Sequence, residues 1–489
     1  MYLIAVTLLI PLAGGLLLPL LRFKNRTARA VYVEAVTLAT SVLAAILCFD
    51  PPQGDFKLLQ LTDSFALTLR VDGLSLVFTG LIAFLWPLAT LYAFEYMAHE
   101  NRENAFFAWY TLSYAATLGI SMAANLFTLY VFYECLTLST LPLVTHKRDV
   151  KSIRAGRQYL LYSLSGAALA FLGMMVLVSH GAGVDFTLGG SLRITDGLDY
   201  TLMRVMFVIA FIGFSVKAAM FPLYAWLPAA SVAPTPVTAL LHAVAVVNAG
   251  AYACMRLIYY SCGTDWLFST WAQAVPLCLA AFTVVFGSAM AVREQHFKRR
   301  LAYSTVSNLS YILLGAALMT PAGMTGAMTH MISHGLMKIT LFYCAGAVLV
   351  KTGQEYVQDI RGMGRVMPFT FAAFTVCAMA LVGVPPLSGF LSKWNLLTAA
   401  AGTGLAWGAV AIAALIISAI LTAIYMMSIV ISAYFLPVND ELNELSAEKR
   451  DPSWLMKLPL LVISCAVVLM GLNGAAVTQW LSDIAAGLV

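Results

Sequence analysis

Four charged residues lie inside long apolar stretches of this chain. They are Glu134 in LYVFYECLTLS, Lys217 in FIGFSVKAAMF, Lys338 in SHGLMKITLF and Lys393 in PLSGFLSKWNLL. A charged side chain at the centre of a bilayer costs about 2.5–3.5 kcal/mol even on the insertion scale that gives the lowest cost. Membrane proteins keep such residues where they pair with one another or carry function. The set therefore predicts a path for charge or protons through a bundle of membrane helices.

Glu134 and Lys217 form the first candidate pair. Each lies near the middle of its apolar stretch, about ten residues or ~15 Å from either end at a rise of 1.5 Å per residue. Opposite charges within about 4–6 Å favour each other's ionised form, so separating the pair would release the lysine's proton. The alternative is a static buried ion pair that keeps two helices in register.

A second group follows at helical spacing. His330, His334 and Lys338 recur at i, i+4 and i+8, which makes one stripe ~12 Å long on a helix. Imidazole exchanges protons near neutral pH, so the stripe favours a proton relay. His242, in TALLHAVAVVNAG, is placed to join this stripe to Lys217. Two alternatives are histidines that only pack between helices, and a zinc site, for which no third ligand lies nearby in the sequence.

The composition predicts the class of protein that carries these residues. Of the 489 residues, 61% are hydrophobic and 10% are charged, whereas about 25% charged residues is usual for soluble domains. Spans of about 20 apolar residues divide the chain into about fourteen membrane helices. The first run, from Tyr2 to Leu21, has neither a basic start nor a cleavage site, so we interpret it as a retained span. The fold class is an all-α polytopic membrane protein.

Sequence patterns for cofactors are not found. The eight cysteines are scattered without any CxxC pair, which argues against an iron–sulfur cluster or a structural zinc site. There is no phosphate-binding glycine loop, nucleophile elbow or dinucleotide fingerprint. We therefore expect no cofactor, no metal, no nucleic acid and no catalytic redox site in this chain.

Prolines interrupt two of the apolar stretches. VGVPPLSGF interrupts 368–402, and FPLYAWLPAASVAPTPV interrupts 204–258. Proline breaks helices, and discontinuous helices in corresponding positions are typical of transporters built from inverted repeats. Each break lies near a buried lysine, Lys217 in one half and Lys393 in the other. We therefore predict N-terminal helices over 1–105, inverted five-helix repeats over 106–258 and 272–436, each with a broken helix, and a cytoplasmic loop with a C-terminal helix over 437–489.

The loop charges predict the topology. The basic loops at 22–29, 147–157 and 293–300 all fall on one side, which the positive-inside rule makes cytoplasmic. Both termini would then be extracytoplasmic. Two other loops on that side, 95–105 and 437–457, do not follow the pattern, but the rule counts Lys and Arg and not net charge. The acidic residues of the second are Asp440, Glu441, Glu444, Glu448 and Asp451.

With these residues in place, the chain resembles the proton-translocating antiporter-like subunits shared by respiratory complex I, membrane-bound hydrogenases and Mrp cation/proton antiporters. The matching stretches are VDGLSLVF (71–78), FYECLTL around Glu134, KAAMFPLYAWLPAASVAPTPVTALLHA (217–243), FKRRLAYSTVSNLSY (297–311), MTHMISHGLMKITLF (328–342) and GVPPLSGFLSKW (383–394). The resemblance implies fourteen core helices, two inverted repeats with broken helices, and a central axis of polar residues. Carried over, Glu134 and Lys217 are the pair of the first half-channel, His242, His330, His334 and Lys338 are the connecting groups, and Lys393 is the lysine of the second half.

Two positions depart from the family pattern. Asn248 stands where many members have a further lysine in the eighth helix, which affects the link between the half-channels. Tyr133 replaces the tryptophan that often precedes the glutamate, which favours an Mrp-like or hydrogenase-like branch. By size, the chain is closer to the D subunit of Mrp antiporters or the mid-sized subunits of complex I and hydrogenases.

The resemblance predicts an ion-translocating subunit of a multisubunit complex in a bacterial or archaeal plasma membrane. It would move protons, with sodium exchange as a further option, beside other membrane subunits that include paralogous antiporter-like ones. Any redox chemistry would then occur in those partners. A self-sufficient secondary cation/proton antiporter and a scaffold subunit with fixed charges are the two alternatives.

Overall fold

The structure is a computed structural model that describes residues 2–62, 65–180, 185–192, 199–438 and 451–488. Of the acidic residues noted above, Asp451 is described. Asp440, Glu441, Glu444 and Glu448 lie outside the described residues, as does most of the predicted cytoplasmic loop.

Helices make up nearly all of the described chain. They are α1 (Tyr2–Leu17), α2 (Arg26–Phe49), α3 (Gly73–Met97), α4 (Glu103–Ser121), α5 (Leu126–Val144), α6 (Val150–Ser179), α7 (Tyr200–Ser215), α8 (Trp226–Ala230), α9 (Thr235–Ala243), α10 (Val246–Arg256), α11 (Trp271–Arg293), α12 (Phe297–Ala317), α13 (Pro321–Thr352), α14 (Met363–Val366), α15 (Pro368–Val382), α16 (Ser388–Gly402), α17 (Ala406–Phe435), α18 (Trp454–Leu472) and α19 (Gly474–Ala485). A π-helical turn, Leu257–Cys262, continues α10, and a 3₁₀ turn, Val357–Ile360, precedes α14.

Within the described ranges, nine helical segments are long and apolar enough to cross a membrane. One of them, Thr235–Cys262, combines α9, α10 and the π-helical turn. The predicted all-α polytopic class is therefore confirmed. The count of about fourteen spans stays a prediction, because α1, α7 and α15 are apolar but shorter than a full span.

A short hairpin, which the sequence analysis did not predict, lies between α2 and α3. Its antiparallel strands are β1 (Phe56–Gln60) and β2 (Ala66–Leu69). Asn125, the N-cap residue of α5, donates to the carbonyl of Ala66 at 3.1 Å. The hairpin thus rests on the start of α5, the helix that carries Glu134.

Both predicted helix breaks are present. Helix α7 ends at Ser215 and the chain becomes regularly helical again only at α8, while α15 ends at Val382 and α16 begins at Ser388. Pro385 and Pro386 closely follow α15 and account for the second break, because proline has no backbone donor and crowds the preceding turn. The first break begins ahead of Pro222 and includes Ala219, whose backbone is left-handed with a φ of 55°.

A third break separates α9 from α10 at Val244 and Ala245, where the sequence has no proline. The Asn248 side chain donates to the carbonyl of Ala243 at 2.9 Å. This bond occupies a carbonyl that a continuous helix would satisfy with its own backbone. The departure from the family pattern at Asn248 therefore coincides with a local change in the helix.

Helix α13 is the central element of the bundle. It packs against α3, α9, α12, α15, α16 and α18. In its most apolar 18-residue stretch, 89% of the residues are buried. It carries His330, His334 and Lys338, and all three side chains are fully buried in the bundle. The boundaries of the two repeats stay a prediction.

Candidate functional site

Glu134 and Lys217 meet between α5 and the break after α7. Lys217 Nζ lies 3.6 Å from Glu134 Oε1, and the side chains are 1% and 20% exposed, respectively. The ammonium also donates to the carbonyl of Tyr133 and lies 3.3 Å from the centroid of the Tyr133 ring. The structure thus places the two predicted partners within ion-pair distance, with an aromatic face beneath the cation.

Two aromatic side chains position this pair. The Tyr133 hydroxyl donates to the carbonyl of Phe214 at 2.9 Å, and the Trp226 indole donates to the carbonyl of Val216 at 2.9 Å. These bonds satisfy carbonyls that the end of α7 leaves without helical partners. Lys217 is therefore held where the regular helix stops, and Tyr133 contributes through its hydroxyl, its ring and its backbone.

Lys338 lies in the middle of α13 and is fully buried. Its ammonium donates to the Ser304 hydroxyl and to the carbonyl of Leu301, the latter at 3.3 Å, both on α12. Within the described part of the chain, neither Lys338 nor Lys393 forms an ion pair with a carboxylate. Each therefore relies on neutral acceptors, unlike Lys217.

His242 and His334 flank Lys338. Both are fully buried, and no ring nitrogen of either has a hydrogen-bond partner among the residues described. The His242 ring packs against the Phe342 ring with centroids 4.8 Å apart. Lys338 interacts electrostatically with both histidines. Ring nitrogens without partners are free to accept a proton. A charged Lys338 beside them disfavours a second positive charge, so proton acceptance by either histidine is coupled to the charge of Lys338.

His330 links this group to α16. Its Nδ1 lies 3.0 Å from the Ser392 hydroxyl, and its ring stacks on Tyr311 with centroids 5.0 Å apart. The centroids of His330 and His334 are 6.4 Å apart. The predicted stripe is therefore an ordered series along α13. At its His330 end it contacts α16, the helix that carries Lys393.

Lys393 spans the second predicted break. Its ammonium donates to the carbonyls of Leu381 and Val382, at 2.7 and 2.9 Å, which belong to the last turn of α15. It also lies 5.5 Å from the centroid of the Tyr311 ring. A cation is stabilised at a helix C-terminus, where the carbonyls are free and the helix dipole is negative.

The step between Lys217 and His242 is less direct. Among the described residues, no hydrogen bond connects the two side chains. Asn248 lies beyond the break after α9, and its Oδ1 is buried without a partner in the described ranges. The Glu134–Lys217 pair and the group around Lys338 are therefore separated by this irregular stretch, in which Asn248 stands where many family members have a lysine.

The sequence analysis missed one buried lysine. Lys298 is only 7% exposed, donates to the carbonyl of Ala233 at 3.2 Å and interacts electrostatically with His242. Its position in a run of three basic residues predicts a solvated loop, but Lys298 and Arg300 are both buried and only Arg299 between them is exposed. Lys298 therefore extends the charged series toward the predicted cytoplasmic side.

A second missed contact joins the N-terminal helices to α10. Arg256 donates to both carboxylate oxygens of Asp72, at 2.5 and 2.6 Å. Burial alone would raise the pKa of Asp72, which precedes α3, but Arg256 and hydrogen bonds from Ser75 hold it below its ordinary value. The pair fixes α3 against α10 and lies apart from the lysines, so we assign it a structural role.

No group of three His, Cys, Asp or Glu side chains in the described ranges is placed to hold a metal ion. The histidines of α13 have Ser392 and Lys338 beside them in place of a third ligand of the kind zinc requires. This arrangement suits proton exchange better than metal coordination.

Two family models match the chain. The model described as NADH:quinone oxidoreductase/Mrp antiporter, TM matches residues 123–422, more than half of the 489 residues. The model described as NADH-Ubiquinone oxidoreductase (complex I), chain 5 N-terminus matches residues 60–107. The first match contains the seven residues that we call the buried series: Glu134, Lys217, His242, His330, His334, Lys338 and Lys393.

Several curated proteins are similar over most of the chain. NADH-quinone oxidoreductase subunit N of Desulforudis audaxviator is 32% identical over 428 residues, 83% of this chain and 82% of that protein. Na(+)/H(+) antiporter subunit A1 of Staphylococcus haemolyticus is 28% identical, over 98% of this chain and 62% of that protein. NADH-quinone oxidoreductase subunit L of Mycobacterium tuberculosis is 30% identical, over 85% and 65%. The chain thus spans less than two thirds of the latter two proteins.

Two solved structures share the fold. A chain of the membrane-bound sulfane sulfur reductase, an archaeal respiratory membrane complex, matches with a TM-score of 0.87 at 22% identity, over 100% of this chain and 98% of that one. A chain of the Mrp complex from Dietzia sp. matches with a TM-score of 0.84 at 25% identity, over 99% of this chain and 52% of that one. At 22% identity, the first match shows the fold alone.

Proposed function

The chain belongs to the NADH:quinone oxidoreductase/Mrp antiporter family of membrane subunits, and we propose that it translocates protons along the buried series from Glu134 to Lys393. As an antiporter-like subunit of a multisubunit complex, it is a multi-span protein of a family located in the plasma membrane of bacteria or archaea. The observation that carries the proposal is the run of buried nitrogen groups on α13, where Lys338, His334 and His330 lead from the centre of the helix to the helix of Lys393.

In the proposed mechanism, Glu134 and Lys217 begin the transfer. When the carboxylate moves away or gains a proton, the ammonium of Lys217 loses its attraction and releases its proton. The proton then passes the break after α9 to His242 and the α13 series. Lys338 and Lys393 respond through electrostatic repulsion, because each new positive charge disfavours another one nearby.

Protons are favoured over sodium as the ion that travels along this series. Lysine and histidine exchange protons, but they do not supply the oxygen ligands that hard cations prefer. The buried series consists of nitrogen groups beyond Glu134. Sodium exchange, if the complex performs it, would therefore use other oxygen ligands or another subunit.

We also infer that the driving reaction comes from partner subunits, including paralogous antiporter-like ones. We further infer that the basic loops face the cytoplasm and that both termini lie outside. The names of the relatives support the first inference, since each is a subunit of a larger complex. The loop charges support the second.

The decisive experiment replaces Lys217 with alanine in the whole complex. We expect Lys217→Ala to abolish proton uptake by inverted membrane vesicles while the complex still assembles. Lys147→Ala is the matched control, because Lys147 pairs with Glu100 at the same 3.6 Å separation but is 37% exposed. Normal proton uptake with intact assembly in Lys217→Ala would remove this lysine from the pathway and support the scaffold alternative.

A further inference from the structure

A basic cavity lies where α6, α12 and the α8 segment (residues 221–232, which include α8) meet. Its volume is about 370 Å³, which is within the range of pockets that bind small molecules. Six charged or polar side chains line it together with apolar residues: Lys151, Arg154, Gln158, Tyr224, Arg299 and Tyr303. None of them belongs to the buried series, so the proposed proton pathway does not account for this cavity.

The cavity carries an excess of positive charge. Lys151 and Arg154 are exposed, and neither forms an ion pair within the described part of the chain. Arg299 pairs with Glu294 at 3.3 Å through one terminal nitrogen, which leaves other N–H donors of its guanidinium available. Asp149 caps α6 by accepting a hydrogen bond from a backbone amide of the first turn. The cavity is therefore suited to an anion that accepts several hydrogen bonds, such as a phosphate group.

Contacts between the walls of the cavity fix its shape. The Tyr159 ring on α6 packs against the Trp226 ring of α8 with centroids 5.2 Å apart, and both side chains are fully buried. Lys298 on α12 donates to the carbonyl of Ala233, just after the α8 segment, at 3.2 Å. Because α6 and α12 are both joined to this stretch of chain, the basic side chains are brought together before a ligand binds.

The basic side chains lie at the depth of lipid headgroups. Helix α6 has 30 residues and is thus ~45 Å long, whereas the hydrocarbon core of a bilayer is about 30 Å thick. Lys151 and Arg154 lie in the first two turns of α6, and Arg299 lies in the first turn of α12. Charged residues are costly within the hydrocarbon core, so the excess length of α6 places this end of the helix among the phosphate groups of one leaflet.

An aromatic surface continues from the cavity toward the middle of the membrane. Tyr224, which lines the cavity, packs on Phe286 of α11 with centroids 4.9 Å apart. Phe221 packs on Phe282, in the middle of α11, with centroids 4.8 Å apart, and Phe282 is 53% exposed. A free phosphate ion would not contact this surface, whereas the acyl chains of a phospholipid would cover it.

We propose that the cavity binds the phosphate headgroup of an anionic phospholipid whose acyl chains lie on the aromatic surface of α11 and the α8 segment. Basic pockets between membrane helices are typical sites for such headgroups. The site is separate from the buried series, and the proposal does not depend on proton translocation. A free phosphate ion and an acidic segment of a partner subunit are the competing occupants.

The experiment labels the whole complex, in detergent micelles, with a photoactivatable phosphatidylglycerol and identifies the labelled peptides by mass spectrometry. We expect label in the segments 150–161, 221–232 and 282–286. Excess phosphatidylglycerol should suppress this labelling. Phosphatidylcholine, whose headgroup has no net charge, and inorganic phosphate should not suppress it at the same excess.

Arg154→Gln tests the contribution of the basic side chains. We expect the probe concentration for half-maximal labelling to rise by about tenfold or more, because a hydrogen bond between charged groups is lost. Arg157→Gln is the matched control, since Arg157 is an exposed arginine of the same helix that does not line the cavity. Neither arginine forms an ion pair among the described residues, so both variants should match the wild type in thermal unfolding.

The contrary outcomes are distinct. Labelling of Arg154→Gln equal to that of the wild type, or an equal loss in Arg157→Gln, would overturn the site. Suppression by inorganic phosphate would show that the cavity takes a free anion in place of a lipid. An absence of label from the three segments would also overturn the proposal, as expected if a partner subunit covers the cavity. Labelling does not measure transport, so its result is independent of the outcome for Lys217→Ala.

Discussion

Replacing Glu134 with glutamine removes the negative charge beside Lys217 and keeps the size of the side chain. At the observed separation of 3.6 Å, the attraction is about 4.6 kcal/mol with an effective dielectric constant of about 20. Since about 1.4 kcal/mol corresponds to a factor of ten, the full loss would change the proton equilibrium of Lys217 by roughly three orders of magnitude. We expect Glu134→Gln to reduce proton uptake to the background level.

Glu134→Asp gives a graded comparison. A side chain shorter by one methylene withdraws the carboxylate by about 1.5 Å, which lowers the attraction to about 3.3 kcal/mol at the same dielectric constant. The loss of about 1.3 kcal/mol is close to a factor of ten. We therefore expect Glu134→Asp to keep roughly a tenth of the wild-type rate or more, since the helices can adjust.

The assay is proton uptake by inverted vesicles, followed with a pH-sensitive dye and normalised to the amount of assembled complex. Glu100→Gln is the matched control, because Glu100 also lies 3.6 Å from a lysine, but that lysine is 37% exposed, and ion pairs with a solvated partner contribute little. Normal uptake in Glu134→Gln, or equal impairment of the Gln and Asp variants, would refute a role that depends on the charge of Glu134.

Three further outcomes follow from the structure. Lys393→Arg should impair proton uptake almost as much as Lys393→Ala, because guanidinium keeps its proton; full activity in the Arg variant would show that a fixed charge suffices. The subunit purified alone should show little or no Na(+)/H(+) exchange in liposomes, and robust exchange would favour the self-sufficient antiporter. Asp72→Asn should lower stability by about 3–5 kcal/mol, because it leaves Arg256 buried without its counter-charge. In the wild type, Arg256 holds the pKa of Asp72 low although burial opposes it. The stability that the Asp72–Arg256 pair contributes is therefore present above the unfolded-state pKa of about 3.9 and is lost as pH falls through the folded-state value. Thermal unfolding of the wild type and of Asp72→Asn across that pH range tests the loss of stability and its pH dependence.

The features that the sequence predicted are those that carry a large free-energy cost in a membrane. A charge inside an apolar run stands out because burial is costly, which is why Glu134, Lys217, Lys338 and Lys393 were identifiable. Proline marks helix breaks for a similar reason, since each one removes a backbone donor. The helical spacing of His330 to Lys338 carried enough information to place them on one face.

The features that the sequence did not predict depend on tertiary contacts. The break between α9 and α10 has no proline to mark it in the sequence. Nothing in the sequence indicates that the Asn248 side chain will bond to a backbone carbonyl at this break. Lys298 donates to the carbonyl of Ala233, which lies before α9 in the chain, and this contact leaves no pattern in the sequence.

The partners of the three lysines of the proposed pathway suggest how position and charge are controlled separately. Lys217, Lys338 and Lys393 all donate to backbone carbonyls, and a neutral amine can still donate to a carbonyl after it loses a proton. Carbonyl partners therefore hold each nitrogen in place in both protonation states. A carboxylate, in contrast, attracts only the charged form strongly, and among the described residues only Lys217 has one. The charge change would thus begin at Glu134 and travel to the other lysines by electrostatic repulsion, without a large movement of their side chains.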